Sequence, residues 1–173
     1  MSSSQFKQFD TERLLLRPTV REDAPFQLAL MTSPGWLKYI GDRGVHTIAE
    51  TEDYIKDKIQ AQFERLGFAN YTIVRKADGI RIGVVGLYDR PNMVGIDLGF
   101  AIMSQYYRHG YAYEAATRLL DAGVNDFKLK NIKAITVPDN IASQKLLSKL
   151  GLTYIKTIQL PDDPVDLMYF ELL

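Results

Sequence analysis

One stretch restricts the fold of this chain more than any other. Between Val94 and Phe127 the apolar period changes once, and the change falls at a glycine. Val94, Ile96, Leu98, Phe100 and Ile102 share one face of an extended run, and Gly95, Asp97, Gly99 and Ala101 share the other. Beyond Gly110, Ala112, Ala115, Ala116, Leu119, Leu120, Gly123 and Phe127 recur at three- and four-residue steps, the spacing of one helix face. The stretch therefore reads as strand, short loop, helix. Its loop delivers a glycine to the helix start, where free backbone N–H groups and the positive end of the helix dipole point outward. That arrangement suits a phosphate group. Asn131 to Val137 is the next strand-like run, so a strand, a crossover helix and a strand imply a parallel pair with a right-handed connection.

The residues before this stretch read as antiparallel. Arg13 to Arg17 is a short apolar strand ended by Pro18. Thr19-Val20-Arg21-Glu22 has capping-box spacing, with Asp23 a rival N-cap, and Pro25 fits only the first turn of the helix that follows. Ser33-Pro34-Gly35 breaks that helix, and Trp36 to Ile40 lies before the next one. Thr47-Ile48-Ala49-Glu50 is a second capping box, followed by Ile48, Ile55, Ile59, Phe63 and Leu66 at helical period and Gly67 at the C-cap. Phe68–Arg75 and Ile80–Tyr88 are strands hinged on Asp78-Gly79, and Arg90-Pro91-Asn92 turns the chain into the Val94 strand, giving a meander. Two last strands flank the turn at 161–164. The expected fold is α/β (α+β): a mixed, mostly antiparallel sheet of about seven strands with one parallel pair, flanked by about four helices. All 173 residues form one domain, with 1–10 a polar N-terminal extension.

Charge and composition exclude several functions. Twenty-one basic and 21 acidic residues cancel, so nothing favours a nucleic acid as partner. The absence of cysteine removes disulfides, a thiol nucleophile and thiolate metal sites. His46 and His109 lack ligand-spaced companions, so no metal is expected. No run has the length of a membrane span or the shape of a signal peptide, which points to the cytoplasm. A homodimer is left open.

Two segments carry a family resemblance. Gln105-Tyr106-Tyr107-Arg108-His109-Gly110-Tyr111-Ala112-Tyr113-Glu114-Ala115-Ala116 resembles the acetyl-coenzyme-A loop of the GNAT N-acetyltransferases, Gln/Arg-x-x-Gly-x-Gly/Ala before a helix. Gly110 and Ala112 fill its last two fixed positions. Tyr107 stands where the strict pattern has Gln or Arg, as in the branch resembling the ribosomal-protein N-terminal (RimJ/RimL-like) acetyltransferases. One strand later, Asn140-Ile141-Ala142-Ser143-Gln144-Lys145-Leu146-Leu147-Ser148-Lys149-Leu150-Gly151 resembles the family's Asn-x-x-Ser-x-x-Leu-Leu-x-Lys-Leu-Gly stretch. Thr11 to Pro18 is similar to that branch's first strand, so the resemblance runs from Thr11 to the C-terminus.

The resemblance implies a fold in which the parallel strands splay apart, with acetyl-CoA between them as cosubstrate and no metal. The backbone of Tyr107, Arg108, His109, Gly110, Tyr111 and Ala112 would hold the pyrophosphate, with Arg108 either adding a charge or solvated. Phe100, Ala101 and Ile102 would pair with the pantetheine arm, and Asn140 and Ser143 would complete the cofactor contacts. Asp97, on the small-residue face, is the candidate base, acting directly or through water; its alternative is a strand acid paired with a Lys or Arg. Where many relatives carry a tyrosine acid, this chain has Leu147, so Ser143 is the substitute hydroxyl. Trp36, Tyr39, Tyr88 and Asp97 would surround the acceptor, although Trp36 to Ile40 also reads as a plain apolar plug. The implied reaction is acetyl transfer to a primary amine by direct attack in a ternary complex, with a protein or peptide N-terminal α-amine as acceptor. The alternatives are a small-molecule amine, or a non-catalytic acetyl-CoA sensor.

Overall fold

The computed structural model describes residues 5–173. In chain order the elements are β1 (Phe9–Asp10), β2 (Leu14–Pro18), α1 (Ala24–Met31), α2 (Pro34–Tyr39), α3 (Ile48–Tyr54), α4 (Ala61–Leu66), β3 (Asn70–Arg75), β4 (Arg81–Tyr88), β5 (Ile96–Ile102), α5 (Tyr111–Asn125), β6 (Ile132–Thr136), α6 (Ile141–Lys149), β7 (Leu152–Ile158) and β8 (Leu167–Leu172). The strands form one sheet in the order β1-β2-β3-β4-β5-β6-β8-β7. Every neighbouring pair is antiparallel except β5 with β6, which α5 connects.

That parallel pair is short. Only Ile96↔Ile132 and Asp97↔Lys133 are in register, and beyond Asp97 the two strands part. The alternation of β5 sorts its neighbours. Leu98 pairs with Leu87, and both lie in the main core with Ala115, Ala116 and Leu119 of α5. Asp97 pairs with Tyr88 and Gly99 with Gly86, on the opposite face. Ala101 on that face packs against a smaller cluster of Leu30, Met31, Trp36, Val45 and Val84 beneath α1 and α2. Among the described residues, no helix is long and apolar enough to cross a membrane.

Several local expectations are corrected. The sheet has an eighth strand, because Phe9–Asp10, assigned to the polar extension, pairs with β2 and buries the Phe9 ring. Residues 1–4 of that extension lie outside the described ones. Pro34 does not simply break α1; it opens α2, where a first-turn proline loses no hydrogen bond. Thr19 caps nothing: its hydroxyl joins Thr72 at 2.8 Å, and Asp23 takes up the Val20 N–H at 2.9 Å. α3 and α4 are joined by one π-helical stretch, Ile55–Gln60, with helical backbone throughout. β5 begins at Ile96, leaving Val94 exposed.

Candidate active site

The parting of β5 from β6 opens a cleft of about 1030 Å³. Main-chain alternation decides what its wall presents. The Met103 N–H donates to Ile82 of β4, and the Ile96 N–H donates to Asn131 before β6. Odd-numbered residues of β5 thus turn their backbone groups toward β4, and even-numbered ones toward β6. Past the fork, Phe100 and Ile102 offer main-chain groups to the opening, while those of Ala101 face β4. Of the three residues expected to pair with a ligand's amides, Ala101 contributes only its small side chain to the wall.

At the far end of this edge stands the N-terminus of α5. Gly110 is its N-cap at φ 79°, a left-handed conformation that glycine adopts without strain, and no side chain caps the first turn. Arg108 is also left-handed, at φ 63°. The loop is braced from below. The Arg13 guanidinium donates to the His109 carbonyl at 2.9 Å and to the Glu114 carboxylate at 2.7 Å, and its plane covers the Tyr111 ring. Tyr107, Arg108, Gly110, Tyr111 and Ala112 all line the cleft. His109 does not: its side chain is exposed and stacks on Tyr111, leaving its peptide group as its part in the loop. The Tyr107 hydroxyl reaches across the mouth to α2, where it would lie 2.7 Å from a Cβ placed on Gly35.

Asp97 sits at the fork itself, 2% exposed. Its Oδ2 accepts from the Arg90 Nε, so the alternative of a paired strand acid holds for one oxygen. Oδ1 is buried without a partner among the described residues. Burial pushes the carboxyl above the usual carboxylate range, against the opposing pull of Arg90. A carboxyl raised in this way, at the wall of a cleft and with one oxygen free of hydrogen bonds, is suited to take up a proton.

The opposite wall is α6. Asn140 is its N-cap, and its Oδ1 accepts the Ser143 N–H at 3.2 Å, so that oxygen is committed to the helix. The Ser143 hydroxyl lines the cleft and makes no hydrogen bond among the described residues. Leu147 is buried beside it and offers no proton.

Trp36, Tyr39 and Tyr88 line the cleft; Tyr88 stands opposite Asp97 across β4 and β5, whereas Trp36 packs by Val84 and Ala101. Trp36 belongs as much to the core: it is buried against Leu30, Met31, Val45 and Val84, and its indole N–H donates to the Gly41 carbonyl at 3.1 Å. The reading missed Arg90 and also Arg43 and Lys58, exposed cations on the same wall. A signal for Arg90 existed: once Tyr88 is set opposite Asp97, a residue two beyond Tyr88 falls near the carboxylate.

Known proteins resemble this chain in sequence and in fold. Residues 13–153 match the acetyltransferase (GNAT) domain family. The uncharacterized N-acetyltransferase p20 of Bacillus licheniformis is 30% identical over 146 residues, covering 82% of this chain and 79% of p20. An acetyltransferase from Agrobacterium tumefaciens is similar in structure, with a TM-score of 0.81 at 25% identity over 96% of this chain and 94% of that one. RimL, a ribosomal L7/L12 alpha-N-protein acetyltransferase solved with coenzyme A, has a TM-score of 0.80 at 15% identity, covering 95% of this chain and 97% of RimL.

Proposed function

Because the chain belongs to the GNAT acetyltransferases and is an acetyl-transferring enzyme, we propose that its acceptor is the N-terminal α-amine of a protein or peptide. The observation that carries this reading is the fork. A single buried carboxylate, with one free oxygen, stands where β5 and β6 part, at one end of an edge that leads to an uncapped helix N-terminus. One acid suits one ammonium group. The cleft is lined by Arg43, Lys58, Arg90 and Arg108 against Asp89, Asp97 and Asp139, and this lack of an acidic excess disfavours a polyamine, whose several charges would call for one. An α-amine, with pKa near 8, keeps a useful neutral fraction at pH 7, whereas a lysine near 10.4 needs more activation. RimL, which shares the fold, is described as acting on a protein α-amine.

The cleft fits acetyl-CoA. The free main-chain groups of Phe100 and Ile102 would pair with the amides of its pantetheine arm. The N–H groups opening α5, from Gly110 to Ala112, would hold its pyrophosphate with Arg108 alongside. When bound, acetyl-CoA supplies a thioester whose C–S bond breaks as the C–N bond forms, its sulfur leaving as a thiolate that solvent protonates. Asp97 takes the proton the amine gives up, at Oδ1 or through a water there. Ser143, on the α6 wall of the cleft, would contact the cofactor arm. Leu147 offers no acid, so the thiolate departs unaided, which its low basicity allows.

Three acceptors assayed side by side test the choice: a peptide with a free N-terminus, the same peptide blocked at the N-terminus but carrying lysine, and spermidine. Coenzyme-A release confined to the first is expected. Release confined to either of the others overturns the acceptor and leaves the acetyltransferase standing.

A further inference from the structure

Beneath the acceptor end runs a chain of buried polar side chains that no step above uses. It starts at Asp23, fully buried below β2 and β3. Arg17 donates to both of its oxygens at 2.7 Å, Arg81 to Oδ1 at 2.7 Å and the Val20 N–H to Oδ2 at 2.9 Å. Burial alone would push this carboxyl up; the Arg17 fork, the Val20 N–H and Arg81 outweigh it and hold the group below its ordinary value. Asp23 is therefore ionised and has no proton to give.

Its charge sets the direction of every hydrogen bond that follows. The Thr72 hydroxyl, 3.2 Å from Oδ2, must donate to it. With that proton committed, the Thr19 hydroxyl must donate to Thr72 across 2.8 Å. Thr19 can then only accept, and it accepts from the Asn70 Nδ2 at 2.7 Å. That turns the Asn70 oxygen toward Tyr88, whose hydroxyl donates to it. All four protons point toward Asp23. Burial also pushes the Tyr88 phenol up, so it stays protonated.

The Tyr88 ring is fixed across the floor of the cleft. It lies over Gly86 and Gly99, where an added Cβ would come within 2.2 Å of the ring Cζ and 2.9 Å of Cε2 respectively, so only glycine fits at either position. Its one proton is committed to Asn70. The phenol oxygen can therefore offer the cleft lone pairs and nothing else.

We propose that Tyr88 is a hydrogen-bond acceptor for the incoming amine, that Asp23 fixes this polarity through Thr72, Thr19 and Asn70, and that the pair Tyr88 and Asp97 selects primary over secondary amines. The proposal rests on the reading that an amine is acetylated here. A neutral primary amine that aims its lone pair at the thioester carbon has two N–H groups left. The Tyr88 hydroxyl oxygen and the Asp97 carboxylate, from cross-strand partner residues that both line the cleft, take one each. An N-methylated amine has a single N–H and leaves one acceptor empty. Tyr88 thus acts on the substrate, whereas Asp23, Thr72, Thr19 and Asn70 are positioning residues.

Two readouts test this. The first needs no substrate. In protein labelled with ¹³Cζ-tyrosine, the Tyr88 resonance is assigned by its loss in Tyr88→Phe. Thr72→Val removes the hydroxyl at nearly constant volume and frees Thr19 to turn the Asn70 amide; Thr72→Ser keeps the chain. The Tyr88 resonance is expected to move upfield in Thr72→Val, as for a phenol that no longer donates, and to stay in Thr72→Ser. Thr19→Val interrupts the same chain one member on and serves if Thr72→Val does not fold. The second readout is the preference for a peptide with a free N-terminal serine over the same peptide N-methylated at that residue. It is expected to fall about tenfold in Tyr88→Phe and Thr72→Val, the size of one hydrogen bond, and to return in Thr72→Ser, with acetyl-CoA affinity unchanged throughout. An unmoved resonance in folded Thr72→Val and Thr19→Val, or an unchanged preference in Tyr88→Phe, overturns the proposal. Absence of turnover on any amine instead overturns the acceptor reading, and the resonance still decides the proton order.

Discussion

Asp23 and Asp97 are the same residue type at the same depth, 0% and 2% exposed, the first in the 3₁₀ turn before α1 and the second on β5. Their surroundings differ in completeness. Asp23 has two arginines, a backbone N–H and a hydroxyl on its two oxygens. Asp97 has one arginine on one oxygen, and the other makes no hydrogen bond among the described residues, although Arg43 and the Ile135 N–H add a weaker pull on the carboxyl. The first carboxyl is held below its ordinary value and the second is pushed above it. Saturation makes a buried acid an anchor, whereas incompleteness leaves it able to take a proton and a ligand. Asp97 lines the cleft and Asp23 does not, yet the chain from Thr72 to Tyr88 connects Asp23 to the same floor on which Asp97 stands.

The contrast breaks first in stability. Asp23→Asn leaves Arg17 and Arg81 short of their counter-charge. It is expected to cost about 3–5 kcal/mol in urea unfolding, the range for breaking a buried ionic cluster by removing one partner. Asp97→Asn is expected to spare stability, since the remaining Arg90 side chain is 29% exposed, and to act on the rate instead. Turnover should fall about a hundredfold, roughly 2.7 kcal/mol, while calorimetry finds acetyl-CoA affinity unchanged. Wild-type turnover in that variant would make Asp97 structural.

Stability against pH should carry both signs. Asp23 has a depressed folded pKa, so its contribution is present above the ordinary carboxylate value of 3.8 and is lost as pH falls through its folded pKa. Asp97 has a raised one, so the folded state binds its proton more tightly, and stability falls as pH rises from 3.8 through the folded value. Urea midpoints between pH 3 and 7 should lose the acid-side slope in Asp23→Asn and the opposing slope in Asp97→Asn. The smallest effect belongs to Ser143→Ala, expected to lower turnover about tenfold or less, because the thiolate leaves without an acid. A loss beyond about a thousandfold, roughly 4 kcal/mol, would make Ser143 the proton donor.

The family resemblance implied the fork, and the sequence itself placed the carboxylate on one of its strands. The alternation through Ile96, Leu98 and Phe100 separates a core face from a small-residue face, and Asp97 is the one acid on the latter. The glycine before α5 marked the loop in the same way. Arg90 was hidden because its meeting with Asp97 depends on the register of β4 against β5, which a turn of Arg90-Pro91-Asn92 does not set by itself. β1 was hidden because two residues have no period, although Phe9 is buried. The chain from Asp23 to Tyr88 draws single polar residues from several elements, and no spacing along the chain joins Thr19 to Asn70 and Thr72. Nothing in the sequence ties Gly86 to Gly99; only the fold lays the Tyr88 ring across both.

The two carboxyls can be followed individually by their ¹³Cγ resonances as the folded protein is titrated from pH 7 toward acid. Asp97 is expected to take up its proton first, above 3.8, with Asp23 still ionised as the pH passes that value. Protonation of Asp23 before Asp97, or of both together, would contradict the division of the two into anchor and proton acceptor.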